Sequence, residues 1–493
     1  MAANTLPSVC IRIILEILSK DVCSLHTCIL MNRHWCLISI NKLWENPFKY
    51  FTNFQKKRRL QFITVYLRCL DPRIKESLNI KFQDNTTFDY IGFLRSVNPD
   101  FIKSCITIWM TENVEFPKII VEVLCEQIII RSNRLKNLEL IGDQTFNIFK
   151  LANAERNLST IKSFKFHFTY NQSETYNEIL FDATKISTLI RNIEISYYSH
   201  YPLKEEAIQA IPNDCIENII KLLYNQKRLS SLIIKYLDDF SLSIILMKGL
   251  RNNFNNVTKI HLYCIKNIIN QQKNHINLLD ELQNFKNIQQ IKIEKCSNLS
   301  FTSNSSDLEF NNLVNITLND NEKFPQEFIK TLVRNSNGNV KKLTLLDQYN
   351  ASIYSDILIY CNNLQNFSCS INDDNYNIIL SIIYNLKNLK NLKIEFFNNC
   401  DKVPKNILTK IGIEIPNILQ AFKLSIFNDL LISQESFIEF LSICFKRKIL
   451  FKNLKITGWC SLITNNKDTY QLILQHYDIK NIEKLQIGCI FFK

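Results

Sequence analysis

The residue types most able to do chemistry crowd near the amino end, where Cys23, His26, Cys28, His34 and Cys36 share one short stretch. Thiolates and imidazoles hold zinc when four of them converge, typically from close pairs such as CxxC and HxxxH. These five residues form neither pair, and the intervening Leu25, Ile29, Leu30 and Trp35 read as core. No metal is expected there. The seven histidines include no HExxH, and no carboxylate run carries the glycine that a calcium loop needs at its turn.

Phosphate-binding and nucleophile-presenting turns are excluded on similar grounds. A Walker loop, a dinucleotide GxGxxG turn and a GxSxG elbow each need two or more glycines within a few residues. The chain has seven glycines, the closest two about 30 residues apart. The sequence therefore predicts a protein that is not an enzyme and takes no cofactor. Its function then rests on surfaces that bind other molecules, and on the elements that present them.

Hydrophobic residues make up 46% of the chain and charged residues 21%, the balance of a folded protein rather than a disordered one. The start, "MAANTLPSVC", lacks the basic region and unbroken apolar core of a secretory signal. Long apolar stretches such as "FPKIIVEVLCEQIII" at 116–130 are broken by charge before the roughly 18 to 20 residues a bilayer requires. Sixteen cysteines with no CxxC pair read as reduced, mostly buried thiols. Together these features predict a cytoplasmic or nuclear protein without a membrane span. The formal charge of +13 is diffuse, and its densest run is "QKKRRLQF" at 55–62. That run fits a nuclear-import or phosphate-contact patch, or the solvated face of a connecting helix.

Residues 6–21, "LPSVCIRIILEILSKD", carry two apolar stripes at helical spacing. Ile11, Ile14, Leu15 and Leu18 form one, and Cys10, Ile13 and Ile17 form another on nearly the opposite side. Two further short helices are expected before Pro47, with Pro7 suited to a helix start and Asp21 to an N-cap. A unit this small lies near the roughly 40-residue limit for independent folding. So much apolar surface on it implies that one stripe faces a partner.

The stretch "LPSVCIRIILEILSKDVCSLHTCILMNRHWCLISINKLW" resembles the F-box motif: the opening Leu-Pro, aliphatics at 14, 15 and 18, Asp-hydrophobe at 21 and 22, Arg33 and Trp35, and the closing Leu43-Trp44. Val9 stands where an acidic residue is common, and Val22 where Leu is commoner. The resemblance implies docking onto a Skp-type adaptor of a cullin-RING ubiquitin ligase. Leu6, Pro7, Ile11, Leu15, Leu18, Val22, Leu30 and Trp35 match motif positions that touch the adaptor or support the surface that does.

Beyond residue 130 the pattern LxxLxL recurs thirteen times, from "LKNLEL" at 135 through "LKNLKI" at 389 to "IEKLQI" at 482. The mean step is about 29 residues, and all but the 190-to-229 interval lie between about 24 and 32. Helical stretches separate the segments, among them "DCIENIIKLLYNQ" at 214–226 and "YNIILSIIYNL" at 376–386. The array resembles long, helix-bearing leucine-rich repeats, with "CITIW" at 105 as an earlier, degenerate strand. An α-solenoid would need a period nearer 34 to 47 and no alternating strands. The expected fold is α/β: an F-box over 1–50, a helical connector over 51–100, and a curved leucine-rich-repeat solenoid over 101–493.

In each LxxLxL the residue between the last two aliphatics points to the concave face. Lysine fills five of these thirteen positions, Lys165, Lys292, Lys393, Lys423 and Lys455. Four of them, Lys292, Lys393, Lys423 and Lys455, are the expected contacts for an acidic or phosphorylated target, unless exposed strands carry lysine only to discourage edge pairing. The surplus segment "YYSHYPLKEEAIQAIPND" in the long interval is a second candidate binding loop. The resemblances imply a substrate-recognition subunit of an SCF-type (Skp-cullin-F-box) ubiquitin ligase. The alternative is a repeat scaffold, or a basic nucleic-acid-associated protein, without adaptor binding. Nucleic acid is the less favoured partner because the charge is diffuse.

Overall fold

The computed structural model describes every residue outside 1–5, 20, 51–55, 83–85, 111–116, 133, 142–145, 170–174, 198–210, 238–244, 266–281, 283, 298–308, 320, 322–325, 348, 397–402, 405, 427–433, 450, 458–483, 488–489 and 493. Three short helices open the chain: α1 (Ser8–Leu18), α2 (Val22–Met31) and α3 (Arg33–Leu43). Pro7 enters α1 in an extended conformation and has no N–H to leave unpaired. Asp21 caps α2, accepting the Cys23 N–H at 3.0 Å and the Ser24 hydroxyl at 2.6 Å. Asn32 caps α3 by accepting the Trp35 N–H at 3.0 Å. Ile11 and Leu15 of α1 are buried with Leu25 and Cys28 of α2, and Leu18, Trp35, Ile38 and Leu43 pack against them.

Trp44 ties this bundle to the helices that follow it. Its ring lies 4.6 Å from Tyr90 and 5.7 Å from Tyr66. The basic run falls on the Lys56–Arg68 helix, where Lys56, Lys57 and Arg58 are exposed while Phe62, Ile63, Tyr66 and Leu67 are buried. Arg59 lays its guanidinium over the Phe101 ring at 5.1 Å.

By its contacts the chain forms two compact units, residues 1–233 with 244–253 and residues 234–243 with 254–493. The first holds β1 (Ser96–Val97), β2 (Asn137–Ile141), β3 (Ser163–Phe168) and β4 (Asn192–Tyr197), which are neighbours in chain order. Strand β5 (Ser231–Lys235) falls where the units meet in sequence. The second holds β6 (Lys259–Tyr263), β7 (Gln290–Glu294), β8 (Asn315–Asn319), β9 (Lys342–Leu346), β10 (Asn366–Ile371), β11 (Asn391–Phe396), β12 (Ala421–Ile426), β13 (Asn453–Thr457), β14 (Lys484–Ile487) and β15 (Ile490–Phe492). These also follow chain order, all parallel except the final pair.

The thirteen LxxLxL segments are the thirteen strands β2 to β14. Burial alternates along them as the pattern requires: Phe164, Phe166 and Phe168 are buried in β3 and Leu392, Ile394 and Phe396 in β11. Helices return the chain between strands, including Asn213–Tyr224 in the first unit and Gln326–Arg334, Tyr376–Asn385 and Gln434–Lys446 in the second. Parallel strands need such crossovers. The architecture is α/β, amino-terminal helices followed by leucine-rich repeats of strand plus helix.

One expectation is corrected. "CITIW" is not a degenerate strand but the end of a helix, Pro99–Trp109. Asn98 accepts the Phe101 N–H at 2.9 Å, Pro99 occupies the first turn, and Ile102, Cys105 and Ile106 bury one helical face. The earlier strand is β1, Ser96 pairing with Asn137 and Val97 with Leu138.

Turns after the strands use unexpected residues. Tyr236, Cys264 and Lys295, each just past β5, β6 or β7, adopt left-handed φ of 59°, 53° and 54°. Their N–H groups donate to Tyr263 O, Glu294 O and Asn319 O at 2.8–2.9 Å, which holds the strained backbone in place. Farther on, buried asparagines take over: Asn321 accepts the Cys296 N–H at 2.9 Å and donates to Ile293 O at 3.0 Å. Asn375, fully buried, donates to Ser370 O at 3.1 Å and accepts the Asn372 N–H at 2.9 Å.

Candidate functional site

The two stripes of α1 separate as their spacing implies. Ile11 and Leu15 are buried, and Ile14 and Leu18 are half-buried. On the other side Cys10 is exposed, Ile13 is 58% exposed and Ile17 73%. Val9, Ile13 and Ile17 step by four residues, so they share about 80° of helix circumference. Leu6 and Pro7 are exposed just before the helix. From α2 and α3, Leu30 (72%), Met31 and Leu37 are also exposed, whereas Val22 and Trp35 are half-buried.

Of the eight motif residues, then, Leu6, Pro7 and Leu30 lie open at the surface. Ile11 and Leu15 form the bundle interior, and Leu18, Val22 and Trp35 are partly covered. Val9, Ile13, Ile17, Met31 and Leu37 are further exposed apolar residues of the same three helices. For Ile13 and Ile17 the signal was present in the second stripe.

Rings tie the bundle to the helices that follow it, and charge ties it to the start of β2. Lys42 Nζ lies 2.8 Å from Glu16 Oε1 of α1 and 2.9 Å from Glu45 Oε2, and Lys136 Nζ lies 3.2 Å from Glu45 Oε1. Burial alone would raise the Glu45 carboxyl, but the hydrogen bonds and charges of Lys42 and Lys136 outweigh it and hold it below its ordinary value.

Strand pairing sets the between-aliphatic residues in register. In the first unit Glu139 pairs with Lys165 and Lys165 with Glu194. In the second, His261, Lys292, Thr317, Thr344, Ser368, Lys393, Lys423 and Lys455 stand opposite one another in succession. The lysines are not equivalent. Lys165 Nζ has Glu139 at 3.5 Å and Glu194 at 3.7 Å. Lys292 Nζ has Glu294 at 2.6 Å, and Lys393 Nζ has Glu395 at 2.5 Å. Among the described residues no carboxylate stands within ion-pair distance of Lys423 or Lys455.

His261 Nε2 also meets Glu294 Oε2, at 3.1 Å. Burial, reinforced by the charge of Lys292, holds this imidazole below its ordinary value despite Glu294. In the first unit a cavity of about 230 Å³ is lined by Asn46, Phe48, Ser96, Asn98, Glu139 and Lys165 among others. Burial would raise the Glu139 carboxyl, but the His167 hydrogen bond and the Lys165 charge overcome it and keep the carboxyl low.

Among the described residues no helix is long and apolar enough to cross a membrane, and no group of three metal-ligating side chains converges. Cys28 lies in the bundle core and Cys23 at the surface. Most of the candidate loop in the long interval, 198–210, lies outside the described residues.

No family model and no curated protein matches the chain. Solved structures similar to it include a chain of the yeast Rad7–Elc1 complex, 12% identical with a TM-score of 0.42, covering 88% of this chain and 96% of that one. A chain of the TLR13–ssRNA13 complex is 12% identical with a TM-score of 0.30, covering 67% of this chain and 55% of that one. Likeness at these values carries no argument about function.

Proposed function

We propose that this chain is a non-catalytic substrate-recognition subunit of an SCF-type ubiquitin ligase, directing a captured protein towards degradation. The first fifty residues act as the F-box that docks a Skp-type adaptor, and the repeats hold the target. The observation that carries the reading is the two-sided first helix: Ile11 and Leu15 close the bundle while Val9, Ile13 and Ile17 remain open on its other side. Covering each of the two open isoleucines returns about 1–2 kcal/mol. The chain's contribution to ubiquitin transfer is effective concentration, since a target and a ubiquitin-loaded enzyme held on one frame react almost intramolecularly.

Co-expression with a Skp-type adaptor tests the assignment. The full chain is expected to co-purify with adaptor, and the Ile13→Asp/Ile17→Asp chain to come through without it. A substitution at Leu15 is unsuitable for this purpose because that side chain is core. Recovery of adaptor with both proteins, or with neither, overturns the assignment.

A further inference from the structure

We propose that the strand-entry edge of the first unit, where Arg134, Lys162, Arg191, Lys227 and Arg228 gather, binds the phosphodiester backbone of a nucleic acid. The edge is made by the segments that lead into β2, β3, β4 and β5, residues 132–137, 159–163, 187–192 and 225–231, all within the first unit. Backbone hydrogen bonds stack them. The Lys162 N–H donates to Lys136 O at 2.7 Å, the Arg191 N–H to Lys162 O at 2.8 Å and the Ser230 N–H to Arg191 O at 2.8 Å. Basic residues that are scattered along the sequence are thereby brought onto adjacent rungs about 4.8 Å apart.

The charge on this edge is open. All five side chains are exposed, and among the described residues none has a carboxylate within ion-pair distance. Lys136, by contrast, is spent on Glu45 at 3.2 Å. The four segments contain no Asp or Glu. The helices Pro117–Arg131, Thr175–Ile186 and Asn213–Tyr224 bring their carboxyl ends here, each worth about half a negative charge. Side chains of the following repeat already take some of the end carbonyls, Asn157 donating to Ile129 O and Asn253 to Leu223 O. Five whole positive charges therefore prevail over three half charges.

The composition of the edge selects nucleic acid over protein. Surfaces that bind proteins are built round apolar side chains and are poor in lysine, whereas those that bind nucleic acid are polar and strongly positive. Among the described residues of the four segments Leu189 is the one exposed apolar side chain, and Asn, Ser and Thr fill most of the other open places. From β2 to β5 the edge spans three strand steps, about 14 Å, along which one nucleic-acid strand carries about four phosphates. Five cations suffice for that number. The same ladder in the second unit offers no such run: it carries Thr258, Gln289 and Val314 and then alternates lysine with glutamine. The site does not depend on the receptor reading.

Fluorescence anisotropy tests it, with labelled random-sequence probes of about 20 nucleotides titrated with the purified full chain at about 50 to 200 mM salt. Single-stranded RNA, single-stranded DNA and duplex DNA serve as separate probes, and their order of affinity names the kind of strand. The wild type is expected to bind at least one of them, log affinity falling against log salt with a slope of about −3, as about four phosphate contacts require. Lys162→Gln/Arg191→Gln, and independently Lys227→Gln/Arg228→Gln, lower affinity at least about tenfold at the lowest salt and flatten the slope by about 1.5. All four side chains are exposed, so melting temperatures stay within about 2 °C of wild type. Lys390→Gln/Lys452→Gln, on the second unit's ladder, changes affinity by less than about twofold. Absence of binding at the lowest salt, or affinity unaltered by both first-unit pairs, overturns the proposal. So does an equal loss with Lys390→Gln/Lys452→Gln, or displacement of the probe by poly-glutamate as readily as by unlabelled probe. Adaptor capture by the first-unit variants is expected at the wild-type level, so loss of this site and loss of the receptor assignment are told apart.

Discussion

Lys136 Nζ stands 3.2 Å from Glu45 Oε1, so a residue at the end of the amino-terminal bundle is tied to one at the threshold of β2. The backbone follows the same route: the Arg95 N–H donates to Glu45 O at 2.9 Å and the Lys136 N–H to Arg95 O at 2.7 Å. Glu45 is thus a joint through which the bundle is held on the repeats of its own unit, and its other carboxylate oxygen takes Lys42.

Glu45→Gln should destabilise the first unit by about 1–2 kcal/mol at pH 7, because the side chain is three-quarters covered and bonded to two ammonium groups. The carboxyl is held below its ordinary value of 4.5 in the folded chain. Its contribution is therefore present above about pH 4.5 and lost as pH falls through the folded value. Urea midpoints of wild type and variant should differ at pH 7 and converge in acid. The midpoint is the quantity to compare, since a chain of two units does not have one unfolding free energy.

Asn375→Ala should cost about 1–3 kcal/mol, because it removes the hydrogen bonds that the fully buried Asn375 side chain makes to the Ser370 carbonyl and from the Asn372 N–H. Hydrogen exchange should quicken in β10 and β11 of the second unit and stay unchanged in β2 and β3 of the first. Uniform quickening across both units would contradict a local role.

His261 makes a pH prediction of its own. Its folded-state value lies below the ordinary 6.5, so on acidification the unfolded chain takes the proton first. Stability attributable to His261 is present above pH 6.5 and is lost as pH falls through the folded value. The urea midpoint of wild type should fall relative to His261→Gln between pH 7.5 and 5, and a constant gap over that interval would show that the imidazole is not perturbed.

Much of this was legible in the residues. The LxxLxL segments could be read as strands because two aliphatics one residue apart fit a strand with one buried face, and the intervening helices carry their own spacing. The bundle's two faces were visible in α1 because exposed Ile13 and Ile17 are chemically out of place. "CITIW" misled because β-branched and aromatic residues favour strands, but Asn98 and Pro99 upstream start a helix and tertiary burial at Ile102 and Cys105 completes it. The left-handed turns at Tyr236, Cys264 and Lys295 had no signal, since none is glycine or asparagine. The inequality of the lysines did have one. Glu294 and Glu395 stand two residues beyond Lys292 and Lys393, on the same strand face, whereas Ser425 and Thr457 hold the matching places beside Lys423 and Lys455.

Within the bundle, core and docking surface should respond to substitution in opposite ways. Leu15→Ala removes a buried side chain and should lower stability by about 2–5 kcal/mol. Ile17→Asp changes a side chain that is 73% exposed and should leave the melting temperature within about 2 °C of wild type.

Calorimetric titration of a Skp-type adaptor into the full chain asks most directly whether α1 keeps its second face for another protein. Binding with the negative heat-capacity change of apolar burial is expected for wild type, with at least about a hundredfold loss of affinity for Ile13→Asp/Ile17→Asp at unchanged melting temperature. Equal affinity for both chains, or no heat of binding with wild type, would contradict the account.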